Sequence, residues 1–268
     1  MITVHSAATD KDAPFVLWDS VLERGTMTVS GGDTAGGPNI NGPQTYDDWE
    51  PTAASGYVQV ILPAAETCDC VAIAGHNLAD RAGYFRAYYS VDGVTAWTAL
   101  ASQYPVTNEP AAIAFAPISA LGWRFYFNNP NSAIGPARIN IAALGKRLVF
   151  PAPVVAPYVP ARAADRVDAA GIVSMGGHFL GSSAWRRGLE ADVSFAPLPR
   201  SFTDGAEFRA FRDHYNAGGT FFWAADPTDL PADLAYYWRP EGSDDLRPVY
   251  RPGDYWAGLD MRLAGYAG

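Results

Sequence analysis

Between Gly56 and Leu144 the chain repeats one pattern: short runs rich in Val, Ile, Tyr and Phe, separated by Gly, Pro, Asn and Asp. Such runs read as strands, and they fall at 57–62, 70–74, 84–91, 113–115, 123–127 and 138–144, the spacing of an antiparallel sandwich. Val91-Asp92-Gly93-Val94 supplies a hairpin-type turn between Tyr89 and Trp97. The pattern then breaks: Pro151, Pro153, Pro157 and Pro160 hold the chain extended, which predicts a linker over 150–165 whose Val and Tyr side chains lie along a surface. Beyond it Leu189, Ala191, Val193 and Phe195 alternate with Glu190, Asp192 and Ser194, a strand with one buried and one wet face. A helix follows, with Thr203 or Asp204 as cap, Phe208, Phe211 and Tyr215 on one face and Gly218-Gly219 as its end. Residues 220–224 read as a buried strand, and 255–263 as a closing strand with Ala257, Leu259, Met261 and Leu263 on one side. The expectation is a mainly β chain in two domains: a sandwich over 1–149, the linker, and a β domain with one helix over 166–268.

Composition supports dense packing. Hydrophobic residues make up 49% of the 268 positions and charged residues 18%, while 26 Gly and 21 Pro suit tight turns better than long helices. The net charge of −9 is shared by both halves, and the densest basic runs are the pairs Lys146-Arg147 and Arg186-Arg187. A nucleic-acid surface needs a local basic excess, so that class is excluded. Every cation after Lys146 is Arg, which suits planar pairing at an interface and equally a high-GC genome. Cys68 and Cys70, one residue apart in a strand, are expected to be reduced core residues, not a disulfide or a zinc site. The first residues lack a signal-peptide pattern and no apolar run approaches about 18 residues, so neither export nor membrane insertion is expected, and synthesis in the cytosol is.

Catalytic patterns do not emerge. His5, His76, His178 and His214 sit in no metal or nucleophile spacing, and no serine elbow or phosphate-cradling loop is present, so no enzyme, metal or cofactor is expected. Asp47-Asp48 with Glu50 offers carboxylates for glycoside hydrolysis, though adjacent acids usually diverge. The acids around Asp226-Asp229 and Asp244-Asp245 read as turns. Tyr46-Asp47-Asp48-Trp49-Glu50-Pro51 is a candidate sugar site, because aromatics can stack on a ring while carboxylates accept from its hydroxyls, but the leading reading of Trp49 is that it plugs the end of the sandwich. Gly75-His76-Asn77-Leu78 is a second polar cluster at a strand end, where His76 and Asn77 can bond backbone groups and fix a corner. If both clusters share one rim, a ligand site follows from Tyr46, Asp47, Trp49, His76 and Asn77.

Taken in order, Tyr46 to Pro51, 57–62, 70–78, Tyr88-Tyr89-Ser90-Val91-Asp92-Gly93 with Trp97, and 123–127 resemble the discoidin-like, galactose-binding jelly roll over about residues 15–148. The Gly-His-Asn-Leu version is similar to that carried on tail proteins of long-tailed bacteriophages. Residues 189–263, with Phe208-Arg209-Ala210-Phe211 and Phe221-Phe222-Trp223, resemble the tail-tube-like domains of phage tail-tip and distal tail proteins. This resemblance implies a virion structural protein, assembled in the host cytoplasm, forming a three- or six-fold ring of copies at the tail end in contact with tail tube and hub. Its interface would draw on Tyr236, Tyr237, Trp238 and Trp256, with Tyr250 and Tyr255, unless these form a monomer's aromatic core. The alternative reading is a carbohydrate-binding module that attaches to host-surface glycan.

Overall fold

The computed structural model describes residues 1–5, 8–250 and 256–266. The first half supplies β1 (Ile2–Val4), β2 (Phe15–Leu17), β3 (Thr26–Ser30), β4 (Ser55–His76), β5 (Tyr84–Ser90), β6 (Thr98–Ala99), β7 (Ala111–Asn128), β8 (Ile139–Gly145) and β9 (Leu148–Val149). The second supplies β10 (Asp165–Val173), β11 (Phe179–Ser194), β12 (Leu198–Pro199), α1 (Arg200–Thr203), α2 (Ala206–Asn216), β13 (Phe221–Ala224), β14 (Leu234–Trp238), β15 (Val249–Tyr250), β16 (Trp256–Gly258) and β17 (Asp260–Gly265). The mainly β expectation holds.

Two pairs of predicted strands are each one long strand. β4 spans both 57–62 and 70–74, β7 spans both 113–115 and 123–127, and the two pair antiparallel from Ser55↔Asn128 to Ile73↔Ala111. Pro63 and Pro117, which look like turn signals, each sit at a slip of the ladder, Pro63 between Ile61 and Glu66 and Pro117 between Ala114 and Ile118, where the strands pass from one layer of the sandwich to the other. The front layer is β3-β4-β7-β5-β6; in the back layer the far halves of β4 and β7 are flanked by β8 and β1. Val58, Val60, Phe85, Trp123, Phe125 and Phe127 from the front meet Val71, Ile73, Ile113 and Leu144 from the back in one core.

A second register shift, between Cys68 and Cys70, reverses which positions face that core. Val58, Val60, Leu62 and Cys68 point into the sandwich, but past Asp69 it is Val71 and Ile73 that do so, while Cys70, Ala72 and Ala74 turn outward. Asp69 is held at this bulge by Arg147, whose backbone N–H and Nε donate to its carboxylate at 2.8 and 3.2 Å. Both side chains are buried, and the Arg147 guanidinium also lies over the Phe15 ring. Burial raises the Asp69 carboxyl above its usual range, against the pull of Arg147. Both cysteines are free and buried, and burial raises their thiols.

The outward face of the back layer is covered by a third sheet, ordered β10-β11-β17-β14-β13-β2-β9. Here β2 and β9, expected within the sandwich, pair instead with β13 and with each other. On one face Phe15, Leu17, Phe222, Leu234 and Tyr236 pack against Ala72, Ala74, Ala112 and Ile141; small residues on the sandwich side admit the large ones. On the other, Val16, Phe221, Trp223 and Tyr237 pack against Phe208, Phe211 and Tyr215 of α2. Each buried aromatic contributes on the order of 2 kcal/mol. The capping expectation is corrected: Thr203 ends α1, Asp204 follows it, and α2 starts from Gly205 without a side-chain cap.

The proline-rich segment is anchored at both ends. Phe150 stacks on Phe195 at 4.4 Å and meets Trp223 edge-on at 5.9 Å, and Tyr158 donates to Asp233 at 2.6 Å.

Candidate functional site

Gly75 shapes the site. Its φ of +61° interrupts the β4–β8 ladder at one position without shifting the register, and Ala74↔Ile141 and His76↔Ile139 pair on either side of it. A Cβ here would lie 2.8 Å from Asn140, so the position needs glycine on two counts. The turn sends the His76 ring inward. Its Nδ1 accepts from the Leu78 N–H at 3.3 Å, which leaves the proton on Nε2 to donate to the Glu109 carbonyl at 3.0 Å. Burial lowers its pKa to about 4, so the ring is neutral at pH 7.

The neighbouring amides tie four loops into one frame. Asn77 accepts from the Arg138 N–H at 2.8 Å and donates to the Pro136 carbonyl at 3.2 Å. Asn108 accepts from the Ala79 N–H at 3.1 Å and donates to Asp80 at 2.8 Å. Asn140 donates to the Thr45 carbonyl at 2.6 Å, which fixes the loop carrying Tyr46 and Asp48. Asp48 lies 3.9 Å from Arg138 across the opening. Together these loops and the edge of the third sheet, through Ala161, Leu189, Leu234 and Tyr266, enclose a cleft of about 670 Å³.

The two clusters singled out in the sequence therefore do share one rim. Tyr46, His76 and Asn77 all line the cleft, with Tyr46 79% exposed. His76 and Asn77 fix the corner as expected. Trp49 does not belong to the site: it is fully buried, donates to the Asp33 carbonyl at 2.7 Å and packs edge-on against Phe127, because its strand-like bridge to Ile139 turns the indole into the sandwich core. Asp47 is outside the lining too, so Asp47 and Asp48 do not converge as a hydrolytic pair. The Asp226 carboxylate caps its own turn, accepting from the Thr228 and Asp229 N–H groups.

The expected interface residues divide. Tyr236 and Tyr237 are buried on opposite faces of the third sheet, within this chain, and are corrected from surface to core. Trp238 is half-buried, Trp256 is 54% exposed, Tyr250 bonds Thr203 at 2.8 Å, and Tyr255 lies outside the described residues.

The outer face of the front sheet carries a feature that the sequence reading missed. Tyr84, Arg86, Tyr88, Arg124, Tyr126 and Tyr57 interleave there, with the Arg124 guanidinium between Tyr57 and Trp97 at 4.0 and 4.2 Å. The alternation of 84, 86 and 88 against 85 and 87 was its signal.

No protein-family model and no curated protein matches the sequence. Among solved structures, the chain is similar to a pectin-binding carbohydrate-binding module at 20% identity, over 47% of this chain and 91% of that one, with a TM-score of 0.37. It is also similar to CBM32 of AlyQ in complex with 4,5-unsaturated mannuronic acid, at 20% identity over 48% and 96% with a TM-score of 0.38. A third likeness is to the Ruminococcus gnavus GH29 fucosidase in complex with fucose, at 14% identity and a TM-score of 0.39 over 48% of this chain. The chain spans 27% of that fucosidase's length.

Proposed function

We propose that this protein is a non-catalytic glycan-binding protein, with its ligand in the cleft between the sandwich rim and the third sheet. The observation that carries this reading is the cleft's composition: an exposed aromatic, Tyr46, stands at a mouth lined by carboxylates, Arg138 and the amides of Asn77, Asn108 and Asn140, which hydrogen bonds to backbone hold in place. Rigid polar groups can bond sugar hydroxyls without losing conformational freedom, and the Tyr46 ring offers an apolar face to the sugar's C–H groups. A glycan on the surface of a host cell is the partner that this reading implies. A glycan array with the full chain tests it. Retention of one glycan class by the protein, lost in Tyr46→Ala, is expected; retention of none, or binding unchanged by Tyr46→Ala, overturns it. Tyr46 is exposed enough that its loss leaves the fold intact.

A second reading concerns a different surface. In the β10–β11 hairpin, Ile172 and Val173 are adjacent on the regular strand and so point to opposite faces, yet they are 60% and 59% exposed; Phe179, opposite Val173, and Leu180 at the bulge beside it are 69% and 65% exposed. Apolar side chains bare on both faces call for cover on both sides, as a ring of copies gives each member two neighbours. This favours self-association of copies through the hairpin and not through Tyr236 and Tyr237, which is the step that a ring at the end of a phage tail, resting on tube and hub proteins, would require. Light scattering on wild type and on Phe179→Ser/Leu180→Ser tests it: an oligomer dissolved by the substitutions is expected, and a wild-type monomer at high concentration counts against it.

A further inference from the structure

The cleft is acceptor-rich, and that narrows its ligand. We infer that it selects sugar chains bearing free ammonium groups over neutral chains, and neutral chains over uronates; this rests on the cleft being the glycan site. Three carboxylates, Asp48, Asp80 and Glu109, line it with one guanidinium, Arg138, and the Met1 ammonium donates to the carbonyl of Pro110 in the same wall, so carboxylates outnumber cations by one. The Asn77 and Asn108 amides each spend one N–H and one oxygen contact within the frame, so each has at most one further N–H to offer a ligand. Asn108 takes one oxygen of Asp80, which leaves the other carboxylate oxygen for a ligand. A hydroxyl can satisfy such an acceptor with one proton. An ammonium brings three donors and a charge of the right sign. A uronate brings acceptors to acceptors, and Arg138, itself beside Asp48, is the guanidinium it would have to share. The neutral state of His76 agrees with this charge count, because a buried imidazole with a pKa of about 4 adds no cation to the wall at pH 7.

At 4 Å in water a unit charge pair is worth roughly 1 kcal/mol, about a five-fold change in affinity, and a second ammonium of the trimer acting at longer range brings the expected span between charged and neutral forms to about ten-fold. Calorimetric titration of the full chain with a glucosamine trimer, its fully N-acetylated form and a galacturonate trimer, each at low and high ionic strength, reads that order directly. The glucosamine trimer is expected to bind about ten-fold more tightly than the acetylated form at low salt, to lose that advantage as salt screens the charges, and to lose it also in Asp80→Asn. The galacturonate trimer is expected to bind most weakly. Equal affinity for the three, a preference for galacturonate, or a glucosamine preference untouched by salt and by Asp80→Asn overturns the inference. The two levels separate cleanly: if none of the trimers binds while the array shows another glycan held through Tyr46, the ligand class is wrong and the site stands. If the array is also empty, the site itself falls.

Discussion

The His76 ring provides a pH-dependent test of the geometry around the cleft. Its pKa is about 4 in the folded chain against an ordinary value of 6.5, chiefly because burial penalises the imidazolium. A depressed histidine is protonated in the unfolded chain before it is protonated in the folded one. The unfolded state therefore binds more protons between pH 6.5 and 4, and the native state loses stability as pH falls through that window. The difference of about 2.5 pH units corresponds to about 3 kcal/mol, fully lost once the pH is below the folded pKa. Asp69 and Asp233 act the other way, since burial raises both carboxyls and a raised carboxyl gains stability on acidification. Wild type must therefore be compared with His76→Gln, whose amide can still donate to the Glu109 carbonyl but does not titrate. Urea unfolding at a series of pH values from neutral to about 4 should show the wild-type advantage shrinking by about 3 kcal/mol across the window. A wild-type advantage that stays constant with pH would falsify the buried, neutral assignment of His76.

Gly75→Ala meets both a left-handed backbone and Asn140 at 2.8 Å, so a loss of about 1–2 kcal/mol in thermal or urea melts is expected, together with weakened glycan binding as Asn140 is pushed off Thr45. An unchanged melt would mean that the left-handed turn at Gly75 and its close approach to Asn140 are not built as described. Asp69→Ala strands the Arg147 guanidinium without water, which costs about 3–5 kcal/mol, whereas Asp69→Leu with Arg147→Met should recover most of it; a neutral single substitution would show that the pair is solvated. Trp49→Ala removes a fully buried indole and should cost about 3–5 kcal/mol in urea unfolding, while a loss below about 1 kcal/mol would return Trp49 to the surface.

The sandwich was legible because its strands bury one face and leave alternating residues for the turns and solvent. Less legible was what happens where a strand is covered on both sides. The run Leu234–Trp238 lacks alternation for that reason: Tyr236 faces the sandwich and Tyr237 faces α2. Its aromatic density suggested an interface between copies, when the interface lies between layers of one chain. Phe15–Leu17 is the same case, and its pairing with β13, more than 200 positions along the chain, leaves no local trace. The prolines at 63 and 117 misled in the opposite sense, since a bulge and a turn use the same residues. In the site, both polar clusters were found, and Trp49 plugs the sandwich as its leading reading had it, although the residues alone also left it among the ligand candidates beside Tyr46. Only the bridge between Trp49 and Ile139 assigns one to the core and leaves the other in solvent. The outward hydrophobics of the β10–β11 hairpin passed unremarked, because apolar residues in a strand are ordinarily taken as core.

Amide hydrogen exchange of the full chain, with and without a saturating glycan taken from the array, tests the central claim most directly. Protection centred on residues 45–48, 76–80, 108–110 and 138–140, with 232–235 across the cleft, is the predicted footprint, since these segments line one cleft. Protection appearing instead along Tyr57, Arg86 and Arg124 on the outer sheet face, with the cleft loops unchanged, would contradict it.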